Sequence, residues 1–131
     1  MENEKEYTEN EYWVNVYNNI NYQVSNMGRV RKVHTTPEGI TEYELQNQWT
    51  TFAGSLCKMV RLQIRGRMYR NESVGKLVFF SFVYAADIRK YSIIHYFNND
   101  ALDNRIENLF CYNLSTKKIL KYKTKPCGNV D

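Results

Sequence analysis

The chain has 131 residues, 24% of them charged, with a formal net charge of +4. That length suits one domain, or a small domain with an appended module. It contains no apolar run of about eighteen residues, the length a membrane-spanning helix needs, and its first residues are acidic rather than signal-like. Cys57, Cys111 and Cys127 are widely spaced with no CxxC pair, which argues against a disulfide framework and a four-cysteine zinc site.

Charge is unevenly placed. Residues 1–11 hold five glutamates against one lysine, so the other 120 residues carry 17 basic and nine acidic side chains. A basic body with a short acidic lead is compatible with a nucleic-acid partner. Residues 1–10 lack apolar periodicity and are expected to be a disordered tail. From Glu11 the pattern changes. Tyr12–Tyr17 alternates β-branched and aromatic residues, Asn18-Asn19 signals a turn, and Tyr22–Ser25 reads as a second strand. Asn26-Met27-Gly28 turns the chain again, with Gly28 free to take positive φ. Arg29–His34 then alternates basic with apolar side chains.

Residues 35–56 are less legible: Pro37-Glu38-Gly39 is a turn, Thr41–Leu45 reads as a strand, and Gly54 breaks the segment. Lys58–Arg65 places Val60, Leu62 and Ile64 on one face and Arg61, Gln63 and Arg65 on the other. Gly66-Arg67 turns it into a hairpin through Met68–Arg70. Its solvent face is expected to carry Arg61, Arg65, Arg67 and Arg70, whose planar donors suit phosphate oxygens. Asn71-Glu72-Ser73 offers caps for a helix from Val74 to about Tyr84, with Val74, Leu77, Val78, Ser81 and Phe82 along one stripe.

The most polar compact stretch runs from Ile93 to Leu109, with one histidine, four asparagines and three acidic groups. Tyr91–His95 reads as a strand and Asn98-Asn99-Asp100 as a turn. Leu102, Ile106 and Leu109 fall at helical spacing, with Asp103 at the cap. Phe110–Tyr112 reads as a return strand, and Ser115-Thr116 as the cap of a last helix through Lys121. Residues 123–131, with Pro126 and Gly128, are expected to fray.

His95 followed by Asp103-Asn104-Arg105-Ile106-Glu107-Asn108-Leu109 resembles the core of the HNH homing endonucleases. The block Trp13, Tyr22, Val24, Ser25, Asn26, Gly28, Arg29, Val30, Arg31 resembles the module that precedes the nuclease domain in many phage members. The resemblance implies an α+β chain: a small antiparallel β-module followed by a ββα-metal core. The corresponding divisions are an acidic tail (1–10), the β-module (11–34), a β-ribbon region (35–72), an HNH-like core (73–122) and a flexible tail (123–131).

It also implies roles. His95 occupies the general-base position, and Asn108 matches the asparagine that orients the base. Ile94 stands where a metal-holding aspartate or histidine is common, Gly75 where histidine is usual, and Lys117 near the second metal ligand. A one-residue shift of register would make His95 the ligand and put Tyr96 at the base position, with Lys117 unchanged; separately, Asn113, Asp100 or Asp103 could supply an oxygen in an unorthodox arrangement. A phosphodiesterase of this kind needs a cation on the scissile phosphate, a base for the attacking water and at least two fixed hard ligands.

The leading expectation is therefore a DNA-binding protein on a degenerate homing-endonuclease scaffold, with no cofactor and no metal ligands. Double-stranded DNA would be held by Arg29, Arg31, Lys32, Arg61, Arg65, Arg67, Arg70, Lys117, Lys118 and Lys121. One alternative is an active nicking endonuclease using Mg²⁺ at an altered site. The other is a repurposed viral structural or protein-interaction domain. A protein partner or homo-oligomer stays open, a membrane role is not expected, and the expected location is intracellular (host cytoplasm or nucleus, or a virion).

Overall fold

The computed structural model describes residues 10–52, 56–83 and 88–123. The expected tails (residues 1–9 and 124–131), Cys127, Gly54 and the end of the central helix beyond Val83 lie outside them. Among the described residues, ten strands form three antiparallel sheets, and one α-helix packs among them. The first sheet is β1 (Trp13–Val16), β2 (Asn19–Ser25), β3 (Val30–Thr35) and β4 (Thr41–Leu45), paired in chain order. The second is β5 (Gln48–Thr51), β6 (Cys57–Arg65) and β7 (Met68–Ser73), with β6 central. The third is β8 (His95–Tyr96), β9 (Leu109–Tyr112) and β10 (Ile119–Lys121), with β9 central.

The helix α1 (Val74–Phe82) starts where the sequence places it. The Ser73 side chain accepts from the Lys76 amide at 3.4 Å, and Val74, Leu77, Val78, Phe79 and Phe80 turn inward. They meet Val16, Tyr22, Val24 and Val30 from the first sheet, Val60 and Leu62 from the second, and Leu109 and Cys111 from the third. One core thus draws on residues from both sides of the expected divisions at 34/35 and 72/73. Burying each such large side chain contributes ~1.5–3 kcal/mol, so the three sheets are energetically coupled through α1.

Among the described residues no ββα-metal core is evident, and the expected α+β class is corrected to a mainly antiparallel β arrangement with one short α-helix. Two of the expected helices fail for identifiable reasons. Over 102–109, Asp100 Oδ1 accepts from the Leu102 amide and Asp103 Oδ1 from the Arg105 amide (3.0 and 3.3 Å). Such local bonds compete with the helical ladder. The Ile106 amide donates instead to the Asn26 carbonyl of the first sheet at 2.9 Å. Only a 3₁₀ turn at Ile106–Asn108 remains. Asp103 caps a turn, not a helix.

Over 115–121, Asn113 Oδ1 accepts from both the Ser115 and Thr116 amides at 2.9 Å. Lys117 takes φ of 63°, and the Asn113 amide closes the loop on the Lys118 carbonyl. A left-handed residue ends any helix there, and the chain returns as β10. The expected strand 91–95 is likewise reduced. Tyr91 makes an isolated bridge to Asn113 and the strand is confined to His95–Tyr96.

Candidate nucleic-acid interface

The β6–β7 ribbon carries four exposed arginines: Arg61, Arg65, Arg67 and Arg70. They do not share one face. Arg61 pairs with Asn71, whereas Arg70 pairs with the buried Leu62, and directly paired residues point to the same side of a sheet. Arg61 lies over the Tyr69 ring at 4.5 Å. Arg70 stands on the core side at the rim, 3.8 Å from buried Glu72. Arg65 and Arg67 flank Gly66, whose φ of 53° makes the tip turn.

In the first sheet the basic residues are braced. Glu11 receives two bonds from Arg29, at 2.8 and 2.6 Å. The Arg31 guanidinium is sandwiched between Trp13 and Tyr43, 4.0 and 3.7 Å from their ring centroids. Lys32 Nζ donates to Gln63 Oε1, fastening β3 to β6. The turn before them is built by its own residues: Ser25 Oγ, fully buried, accepts from the Met27 and Arg29 amides. Lys117, Lys118 and Lys121 are exposed on the β9–β10 hairpin.

His95 and Asn108 have separate side-chain partners. The His95 ring stacks on Phe110 at 5.3 Å and meets the edge of Tyr112 at 5.1 Å. Asn108 is buried and its amide is fully used within its own loop. It accepts from the Asn98 amide and donates to Asn98 Oδ1 and the Asp103 carbonyl, at 3.0, 2.9 and 2.9 Å. Arg105 is clamped by Asp103 and Glu107. Those bonds hold the Asp103 carboxyl below the usual carboxylate range, the Arg105 hydrogen bond contributing most.

The residues present do not fit the divalent cation that the endonuclease resemblance implies. Ile94 has no donor and lines an apolar cavity of about 390 Å³ with Phe80, Ile88 and Tyr91. A side chain at position 75 has no room, since a Cβ there would lie 2.8 Å from Asn104 Oδ1 and 3.0 Å from Tyr96 Oη. Lys117 is a cation. The alternative donors are committed locally: Asp103 to Arg105 and Asn98, Asp100 to the Leu102 amide, Asn113 to its turn. Arg29, Lys58 and Arg105 line the same groove as Asp100 and Asp103, which further disfavours a cation. Burial pushes the Tyr96 hydroxyl up to about 12. Among the described residues, no three His, Cys, Asp or Glu side chains converge as a metal site.

Sequence reasoning missed β5, the sandwiching of Arg31 and the exposed rings beside His95. The alternation of Leu109 and Cys111 with Phe110 and Tyr112 was the available signal for those rings. Among the described residues, no helix is long and apolar enough to cross a membrane. No curated protein and no solved structure matches the chain. Residues 6–62 match the NUMOD4 motif, a motif found N-terminal to HNH and homing endonucleases.

Proposed function

We propose that this protein binds double-stranded DNA on a scaffold related to homing endonucleases and has lost nuclease chemistry. The observation that carries the reading is the arginine-bearing β6–β7 ribbon, whose first strand contains the end of the segment matching the NUMOD4 motif. Arg65 and Arg67 at its tip are exposed and suit phosphate contacts that position a protein without reading sequence. Arg29, Arg31 and Lys32 are braced by protein partners, so their part is to shape the first sheet and add to its positive field. That no fitting donor set converges around His95 among the described residues supports the loss of hydrolysis, since metal stabilisation of the scissile phosphate is what this chemistry needs.

The test is gel shift and plasmid nicking on the same samples, with Mg²⁺, Mn²⁺ or no metal. The expected result is retardation without nicking, with affinity falling steeply as salt rises. Each lost phosphate contact flattens the log–log salt slope by ~0.9, so Arg65→Ala/Arg67→Ala should flatten it by about 2. Metal-dependent nicking abolished by His95→Ala would instead establish an active enzyme. No DNA affinity at low salt would leave a protein-interaction role.

A further inference from the structure

The third sheet presents an aromatic face that the ribbon does not use. Register places His95, Phe110 and Lys121 in one row across β8, β9 and β10, with Tyr112 and Ile119 in the next. Phe97, two residues beyond His95, falls on the same side and packs on Phe110 at 4.3 Å. Phe97, Phe110 and His95 make a column whose successive rings are inclined by only 31° and 24°. Behind them Leu109 and Cys111 are fully buried, so the column stands on the core and is held in place.

The face is open to solvent: Phe97 is 49% exposed and the neighbouring Ile119 55%. Lys121 Nζ lies 5.8 Å from the Phe97 ring, and Lys117 and Lys118 are exposed at the hairpin turn. Strands β8, β9 and β10 contain no aspartate or glutamate. Flat rings fringed by cations, without carboxylates on the strands, match a ligand that is both planar and anionic.

We propose that this face is a stacking platform for unpaired bases of single-stranded DNA, with Phe97 taking a base and Lys121, Lys118 and Lys117 the adjoining phosphates. Aromatic platforms of this type accept any base because every base has a π-face. The proposal rests on the DNA-binding reading and adds a site on a different sheet from the arginine ribbon.

The test compares a fluorescein-labelled twelve-nucleotide oligothymidylate with an abasic strand of equal length, by anisotropy at low salt on the full chain. The abasic strand keeps the phosphates and removes the rings. The expected result is at least tenfold tighter binding of oligothymidylate. Phe97→Ala should erase that preference, Phe97→Trp should keep it, and Lys121→Ala should weaken both strands alike. Arg65→Ala/Arg67→Ala should weaken duplex binding and leave the oligothymidylate preference intact.

Equal affinity for the two strands, or a preference that survives Phe97→Ala, would overturn the proposal. So would self-association that Phe97→Ala abolishes without any change in DNA binding, which would mark the face as a contact between copies. Duplex binding with no oligothymidylate binding would sink the platform alone. Loss of all DNA binding would sink the earlier reading with it.

Discussion

The first sheet and the segment from His95 to Lys121 both carry residues that look functional in the sequence, and the structure uses them differently. In the first sheet, motif residues are spent on the turn and its bracing: Ser25 holds the turn amides, Arg29 binds Glu11, and Arg31 lies between two rings. In the later segment Asn108 and Arg105 are also spent on their own loop, whereas Ile94 and Lys117, the positions the endonuclease resemblance would assign to metal donors, supply none. Polar residues that shape a loop keep their value when chemistry is absent, because an unpaired buried polar group costs ~1–3 kcal/mol.

That contrast breaks if Asn108 matters for chemistry rather than for the loop. Asn108→Ala leaves the Asn98 amide and the Asp103 carbonyl without their partner, so a loss of about 3 kcal/mol is expected. Denaturant unfolding measures it; a neutral result would remove the structural role. The two regions also meet at one point. Gly28 has φ of 89°, and a Cβ there would lie 3.1 Å from the Asn104 carbonyl oxygen. Gly28→Ala should cost about 2 kcal/mol, and hydrogen exchange should show the 98–108 loop loosened together with the turn at 26–28.

Acid offers a gentler probe. Asp103 has a depressed folded-state pKa because Arg105 bonds its ionised form. The stability it lends is present above the ordinary carboxylate pKa, about 4, and is lost as pH falls through the lower folded value. Exchange protection of residues 103–108 should fade there in the native chain and show no such transition in Asp103→Asn. The smallest effect is expected at His95. Removing a ring from the stack costs ~0.5–1.5 kcal/mol, so His95→Ala should melt slightly lower while duplex affinity stays unchanged. A large loss of duplex binding would place His95 on the DNA.

Much of the strand order was legible because alternation forces it. Val60 and Leu62 cannot share a face with Arg61 in a regular strand, and β6 follows that pattern up to the irregularity between Gln63 and Arg65. Ser73 and the 3.6-residue stripe after it likewise identified α1. The spacing of Leu102, Ile106 and Leu109 misled for the converse reason. Ile106 and Leu109 are indeed buried, but a 3₁₀ turn leading into a strand buries them as well as a helix would.

By itself the sequence determined where chains alternate and where they turn at Gly28, Gly39 and Gly66. Those are properties of residue type and local backbone sterics. Tertiary structure decided the rest. The Asn26 carbonyl took the Ile106 amide, and Asn113 took two amides that a helix would have needed. Arg31 found its rings on two different strands. Each depends on a partner far along the chain or on a side chain competing for backbone, and local pattern does not encode who wins that competition.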